Sequence, residues 1–466
     1  MSIFIKPEVK KVSPSVIRRF GTSFGSHQKL WSRSETKLWT INFFFGTCVL
    51  YASRVSLPIC AVAMAKEYGW TITDSGTILS CFFWGYAATQ VVAGNIADHY
   101  SGERVLPFTT LVWSALTLFT PQLFDFAYWT RSPLFILITI RVLTGIGQGF
   151  HLPSMASIVS RHLTASDKGR VFGICLAGSH FGSIVAGGIG SLLIDLFGWR
   201  SLFHFVGMIS FIWYLFFERL TECVLSGRRA RVVFDSGGNA MQDESLIESD
   251  HFIKKKPSKG AIVATAVPWS KLFKHPSFWA ASLAQYCGAN AYFTMFSWLP
   301  YYFSDNFPQA TAFVYNVVPS LAIVFTSLFA PYFASKLLTH GCSITFTRRF
   351  MESVSLIGMG TCLFLVSLSS RFTISLALFT LAMALRGLHH AGVSVNPHDF
   401  APDHTGSVFG IFNAFSAITG FIGVYMAGWI LHSSDNQWAY VFIFTALQCI
   451  IGAFVYGLKG TGSRII

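Results

Sequence analysis

Charge is scarce in this sequence of 466 residues: 12% are Asp, Glu, Lys or Arg, where soluble domains carry about a quarter. With 52% of residues hydrophobic and a mean hydropathy of +0.52, the chain has too little polar surface for water and requires lipid. Acid is scarcer than base, 21 against 34, for a formal net charge of +13. The excess does not indicate nucleic acid, because the basic residues stand in the N-terminal tail and in loops between apolar runs, as topology determinants do. No C-x-x-C pair, H-E-x-x-H or pair of catalytic carboxylates occurs, which gives no support to the common metal centres or to paired-carboxylate chemistry. The cysteines are scattered, and Cys48, Cys60, Cys81, Cys175 and Cys287 fall inside apolar segments as packing residues. The glycine-rich stretch 178–190 lacks a G-K-[ST] ending and suits close helix packing rather than a phosphate loop. A cleavable signal is not expected, since residues 1–37 are polar and basic and the first apolar run is too long for one.

What is present is length. Apolar runs at 39–64, 76–96, 105–124, 134–159, 170–197 and 201–217, then 278–303, 312–338, 350–368, 372–395, 408–431 and 438–458, are each long enough to cross a bilayer core. They predict an all-α membrane protein of twelve transmembrane helices in two six-helix halves, 38–218 and 276–458. A cytosolic tail (1–37), a cytosolic disordered linker (219–275) of mixed charge and few aromatics, and a short cytosolic tail (459–466) complete the division. The loops at 66–75 and 305–311 are short and lack N-x-[ST] sequons. An internal repeat supports duplication: Gly169-Arg-Val-Phe-Gly-Ile opens the fifth run and Gly406-Ser-Val-Phe-Gly-Ile the eleventh, each followed by a tryptophan, Trp199 or Trp438. Duplicated halves are how many secondary transporters place a site at the bilayer midplane.

Chemistry concentrates on charged residues inside the runs. Arg54, Arg141 and Arg386 each cost about 2.5–3.5 kcal/mol near a bilayer centre, so an intramembrane Arg is a functional candidate by default. They also admit a plainer reading, as snorkelling or internally paired side chains. The acids discriminate, because Glu67, Asp74, Asp98, Asp195, Glu218, Glu352 and Asp399 all fall at expected helix ends or in loops. No mid-membrane carboxylate is then expected to neutralise the arginines, and a cavity of free guanidinium groups attracts carboxylates or phosphates. His180 and His390 are the remaining titratable candidates within the spans, or else ordinary hydrogen-bonding residues. Between the second and third runs, Gly94-Asn-Ile-Ala-Asp98-His-Tyr-Ser-Gly102-Glu-Arg104 resembles the G-x-x-x-D-[RK]-x-G-[RK] loop of the major facilitator superfamily. Gly94, Asp98, Gly102 and Arg104 are read there as gating residues.

The residues resemble one family, the vesicular organic-anion transporters that include sialin, the vesicular glutamate transporters and the vesicular nucleotide transporter. The resemblance covers residues 39–458. It rests on Cys81-Phe-Phe-Trp-Gly-Tyr-Ala-Ala-Thr-Gln90, Arg141-Val-Leu-Thr-Gly-Ile-Gly-Gln-Gly149, Phe197-Gly-Trp-Arg-Ser-Leu-Phe203, Ser297-Trp-Leu-Pro300 and His390-Ala-Gly-Val-Ser-Val-Asn396. Leu50 to Cys60 and Tyr315 to Pro319 are most similar to the nucleotide-carrying branch. The departures agree: glutamate transporters and sialin place a Glu where this chain has Gln148, and glutamate transporters place a His and an Arg where it has Leu79 and Gly288.

The resemblance implies substrate binding by Arg54 and Arg141 and a pathway role for Tyr86; Arg386, His390 and Gln148 join them as binding candidates. It further implies secondary transport of ATP, with ADP and GTP, into secretory or synaptic vesicles or lysosomes, with no enzymatic step. The drive would be a lumen-positive potential set by a vacuolar-type proton pump. No cofactor or metal is expected, and chloride enters as a permissive ion. The alternative is a proton-coupled, sialin-like carrier of sialic acid or acidic amino acids.

Overall fold

The computed structural model describes residues 31–100, 102–130, 132–163, 165–235, 267–402 and 405–466. Among them the regular structure is helical throughout. The first span, α1 (Arg33–Tyr68), starts at a capping box: Ser32 Oγ accepts the Glu35 N–H at 3.2 Å and the Glu35 carboxylate accepts the Ser32 N–H at 2.7 Å. It stops at Gly69, whose φ of 69° only a residue without Cβ adopts freely. The second span is α2 (Ile72–Tyr100), and the third is divided into α3 (Gly102–Leu118) and α4 (Thr120–Tyr128). The fourth, expected as one helix, is also broken: α5 (Pro133–Gly149) and α6 (His151–His162) meet at Phe150, after the Gly147-Gln-Gly149 sequence. The fifth and sixth are α7 (Ala165–Phe197) and α8 (Trp199–Asp235).

After α9 (Trp269–Lys274), the second half repeats the plan. Its spans are α10 (Pro276–Asn306), α11 (Ala312–Thr339), α12 (Ile344–Ser367), α13 (Phe372–Leu388) continued by a 3-10 turn (Val393–Val395) and α14 (Asn396–Phe400), α15 (Thr405–Ser433) and α16 (Trp438–Lys459). Among the described residues, nine segments meet a strict length and hydropathy test for crossing a membrane. The second, third and seventh spans complete the twelve.

Three sequence expectations need correction. Helix α8 continues through residues 221–235 of the linker expected to be disordered, and α9 is helical within it; residues 236–266 lie outside the described residues, as do 1–30 of the N-terminal tail. The segment 459–466 is not a free tail: the backbone N–H groups of Ile465 and Ile466 donate to the Phe400 carbonyl at 2.8 and 3.0 Å, and both side chains are buried. Glu352 is not at a helix end, as described below.

The halves meet along α2 against α15 and along α7 against α11, with α1 touching α10. Shifting the first pair by six spans yields the second, so the interface carries the duplication. The repeated tryptophans find equivalent partners. Trp199 Nε1–H donates to Glu67, at the end of the first span, at 2.7 Å; Trp438 Nε1–H donates to Asp305, at the end of the seventh, at 3.2 Å.

Within the first half, glycines set the register that later positions the site. A Cβ on Gly145 would stand 2.0 Å from the Phe82 carbonyl oxygen, and one on Gly85 would stand 2.1 Å from that of Val142. The α2 and α5 backbones therefore touch, which small residues permit between membrane helices. Gly145→Val is expected to destabilise the protein by about 3 kcal/mol, the upper range for overpacking a rigid contact. Thermal unfolding of the detergent-purified protein checks this, with Gly410→Val, where a Cβ meets nothing within 4 Å, as the control.

Candidate functional site

The α2–α5 contact holds Phe82 and Tyr86 of α2 between two arginines. The Arg54 guanidinium of α1 lies 4.5 Å from the Tyr86 ring centroid, 5.0 Å from that of Phe82 and 4.4 Å from that of Tyr51. Arg141 of α5 covers the Phe82 ring at 5.2 Å. Such cation–π contacts stabilise a desolvated guanidinium by about 2 kcal/mol without neutralising it. Gln148 holds Arg54 in place: its Oε1 accepts from Arg54 Nε at 3.4 Å, and its Nε2 donates to Ser53 Oγ at 3.1 Å. Ser53 in turn meets Thr117 Oγ1 at 2.7 Å, so a neutral amide ties the first, third and fourth spans together.

In the second half Arg386 of α13 lies 5.8 Å from the Tyr292 ring of α10. Tyr292 is within electrostatic reach of Tyr51 and Arg54, which brings the two clusters to a common cleft between the halves. His390 is exposed, and its ring packs edge-on against His180 of α7 at 5.9 Å, across the interface.

The three arginines are 4%, 5% and 7% exposed, yet Arg54 Nη2, Arg141 Nε and Arg386 Nη1 have no hydrogen-bond partner. Among the described residues no ion pair reaches any of the three. Two arginines nearer the faces are paired. Arg200 bridges Glu67 at 2.5 Å and Asp125 at 2.8 Å, and Arg348 holds Asp399 at 2.8 Å. The protein thus distinguishes structural guanidinium groups, satisfied near its faces, from three buried ones left with free donor capacity. A buried charge without its counter-ion is unstable unless a ligand supplies one.

The structure brings Arg54, Arg141, Tyr86 and Gln148 into one neighbourhood, with Arg386 and His390 facing from the other half. The sequence reading missed Tyr51, Phe82 and Tyr292, since aromatic residues are common in such spans and only packing singles these out. It also missed His151, fully buried at the start of α6, with Nε2 3.5 Å from Thr47 Oγ1. The expectation that no carboxylate lies within the spans is wrong for Glu352. Its helix starts at the Ser343 cap, seven residues before the apolar run, and Glu352 is 0% exposed, hydrogen-bonded to His389 Nδ1 at 2.9 Å. Of the gating residues, Gly102 opens α3 so close to α6 that a Cβ would stand 2.4 Å from the Ser154 carbonyl oxygen, and Arg104 is exposed. Gly94 and Asp98 fall within α2, and their surroundings lie outside the described residues.

The comparisons with known proteins follow the same lines. The sequence profile of the Major Facilitator Superfamily matches residues 43–423. The voltage-gated purine nucleotide uniporter SLC17A9 of Mus musculus is 32% identical over 93% of this chain and 92% of its own length, and that of Homo sapiens is 31% identical over 93% and 94%. The chloroplastic ascorbate transporter of Arabidopsis thaliana is 27% identical over 94% of this chain and 77% of its own. In fold, the chain is similar to a bacterial homologue of the human lysosomal transporter Spinster in an inward-facing, unoccupied conformation, with a TM-score of 0.70 and 13% identity over 92% of this chain and 98% of that one. This multi-pass membrane protein is a transporter and not an enzyme: the chain belongs to the Major Facilitator Superfamily and, within it, to the organic-anion transporter family that contains the purine nucleotide uniporters.

Proposed function

We propose that the chain carries purine nucleotides, ATP with ADP and GTP, across the membrane of secretory vesicles or lysosome-related organelles, with both termini cytosolic. The observation that carries this reading is the set of three buried guanidinium groups with free donors, two in one half and one in the other. A polyphosphate offers several oxygens to such a set, whereas a single carboxylate satisfies one fork. Tyr51, Phe82, Tyr86 and Tyr292 supply rings beside the guanidinium groups, and base stacking on such rings contributes about 1–3 kcal/mol. The similarity to relatives named as purine nucleotide uniporters supports the same choice.

The driving force is a lumen-positive potential maintained by a vacuolar-type proton pump, with chloride as a permissive ion. At about 2.3 kcal/mol per charge per 100 mV, an anion of charge about minus four gains roughly 9 kcal/mol, enough to concentrate it without cotransport. Gln148 favours this over sialin-like proton symport: it holds Arg54 by a neutral amide at the position where a carboxylate would carry a proton.

Proteoliposomes holding the purified chain test the reading. Wild type should accumulate radiolabelled ATP under an inside-positive potential with no pH gradient, and ADP and GTP should compete. No ATP uptake, together with sialic acid or glutamate movement under a pH gradient, would replace the nucleotide by a carboxylate substrate. Gln148→Glu is expected to lower potential-driven ATP uptake at least tenfold, because a carboxylate 3.4 Å from the guanidinium would neutralise Arg54. The same assay checks it.

A further inference from the structure

We propose that Glu352 and His389 form a proton-binding site in the second half, coupled through Arg386 to the charge of the anion held in the cleft. Glu352 lies eight residues into α12, about 12 Å along the helix. Its Oε1 and Oε2 accept from His389 Nδ1 at 2.9 and 3.0 Å, and Oε2 also accepts the Val393 N–H at 3.1 Å. Gly392 provides the room, since a Cβ there would stand 2.6 Å from Oε2. His389 is 1% exposed and its Nε2 has no partner.

Gly288 of α10 is the wall that imidazole and guanidinium share: a Cβ there would stand 3.1 Å from Arg386 Nη1 and 3.7 Å from His389 Nδ1. Carboxylate, imidazole and guanidinium therefore form a buried row leading from α12 to the cleft, and its last member is one of the three free arginines.

The groups facing this row are Cys287 and Tyr292 from α10, His390 from the end of α13 with His180 of α7 beyond it, and Cys449 and Tyr456 from α16. The Arg348–Asp399 pair lies past Tyr456 and neutralises itself at 2.8 Å. Thiols and phenols ordinarily ionise above neutrality, so the carboxylate and the histidines are the groups able to change charge near physiological pH.

The sign of the coupling follows from the charges. An ionised Glu352 beside a neutral His389 offsets Arg386. A proton taken up by either group removes that offset and leaves one more positive charge facing the anion. Linkage is reciprocal, so lowering the pH tightens anion binding and anion binding draws in a proton. Glu352→Gln fixes the uncharged state.

The coupling rests on the cleft being an anion site; the proton site does not, and the two are separable by experiment. Infrared spectra of the purified, empty protein, taken from about pH 5.5 to about pH 8, should show a buried carboxyl band that titrates in wild type and is missing in Glu352→Gln. ATP binding to the same samples should weaken about tenfold from low to high pH. That dependence should disappear in Glu352→Gln, where binding stays tight, and in His389→Asn its midpoint should move together with that of the carboxyl band, which serves if the first variant fails to fold. A wild-type carboxyl band that does not titrate overturns the proposal, as does a pH dependence that persists in Glu352→Gln, parts from the carboxyl band in His389→Asn or disappears in His390→Asn alone. A titrating band with no ATP binding at any pH upholds the proton site and overturns the nucleotide reading.

Discussion

Arg141→Met is expected to reduce potential-driven ATP uptake at least 100-fold while raising the melting temperature of the empty protein by several degrees. The two effects have one cause. Arg141 is 5% exposed, faces the Phe82 ring, and leaves Nε without a partner or a carboxylate. In the empty protein it is a desolvated charge that a ring stabilises incompletely, and replacing such a group by an apolar one of similar length is stabilising. In the loaded protein it supplies charge-assisted hydrogen bonds of about 1.5–3 kcal/mol each, and losing two approaches a factor of about 100 or more. Arg54→Met should behave alike, with a smaller gain in stability because Gln148 already accepts from Arg54 Nε. Uptake in proteoliposomes and thermal unfolding in detergent check both halves of the statement. A structural arginine gives the opposite pattern, and Arg348→Met is the control: it leaves Asp399 and the Ala391 carbonyl unpaired and should lower the melting temperature. If Arg141→Met also destabilises the empty protein, Arg141 has a structural partner and its candidacy as an anion ligand falls.

The contrast between these arginines explains what the sequence made legible. Twelve spans, two halves and three costly intramembrane arginines are visible because the bilayer penalises charge steeply, so each exception stands out against an apolar run. Hydropathy fails where polar residues are helical but satisfied by the protein. By hydropathy the run of α12 starts at residue 350, because Thr347, Arg348 and Arg349 have the polarity of a loop. In fact Ser343 caps the helix, and the two guanidinium groups are taken up by Asp399 and the carbonyls of Ala391, Leu458 and Gly460. That displacement is why Glu352 looked terminal. Sequence also underestimated the segment 459–466, whose two isoleucines reach Phe400 through contacts that local pattern does not encode. The break between α5 and α6 and the ring cluster around Arg54 belong to the same class, since packing decides them.

Transport also requires the halves to part, and a close glycine-to-glycine approach between them identifies where a single side chain should stop the cycle. At the side opposite the chain ends, a Cβ on Gly428 of α15 would stand 3.1 Å from the Gly76 Cα and 3.1 Å from the Trp298 ring. Ser75 meets Tyr301 at 2.7 Å, Tyr301 donates to the Ala61 carbonyl at 3.0 Å, and Asn316 donates to Ser191 at 3.1 Å, all between the halves at this side. Asn316 also lines, with Val55, Ile59, Met295, Pro300 and Met383, a space of about 40 Å³, which holds water and not an organic anion. This seal exists only in the state closed on that side. A leucine at residue 428 must displace α2, at a cost of about 1–3 kcal/mol that is present in the sealed state and relieved once the halves have parted there, whereas its contact with Trp298, in the same half, persists in both states. Two states a few kcal/mol apart invert under such a bias. Gly428→Leu should therefore cut ATP uptake about tenfold or more, with a fall in melting temperature limited to that from the Trp298 contact within the second half. In a Val55→Cys background it should also speed labelling by an impermeant maleimide applied from that side. Unchanged labelling with lost uptake would place the block within a half. Unchanged uptake would mean that the glycine contact is not part of the moving seal, and the alternating closure would have to be sought along α7 and α11 instead.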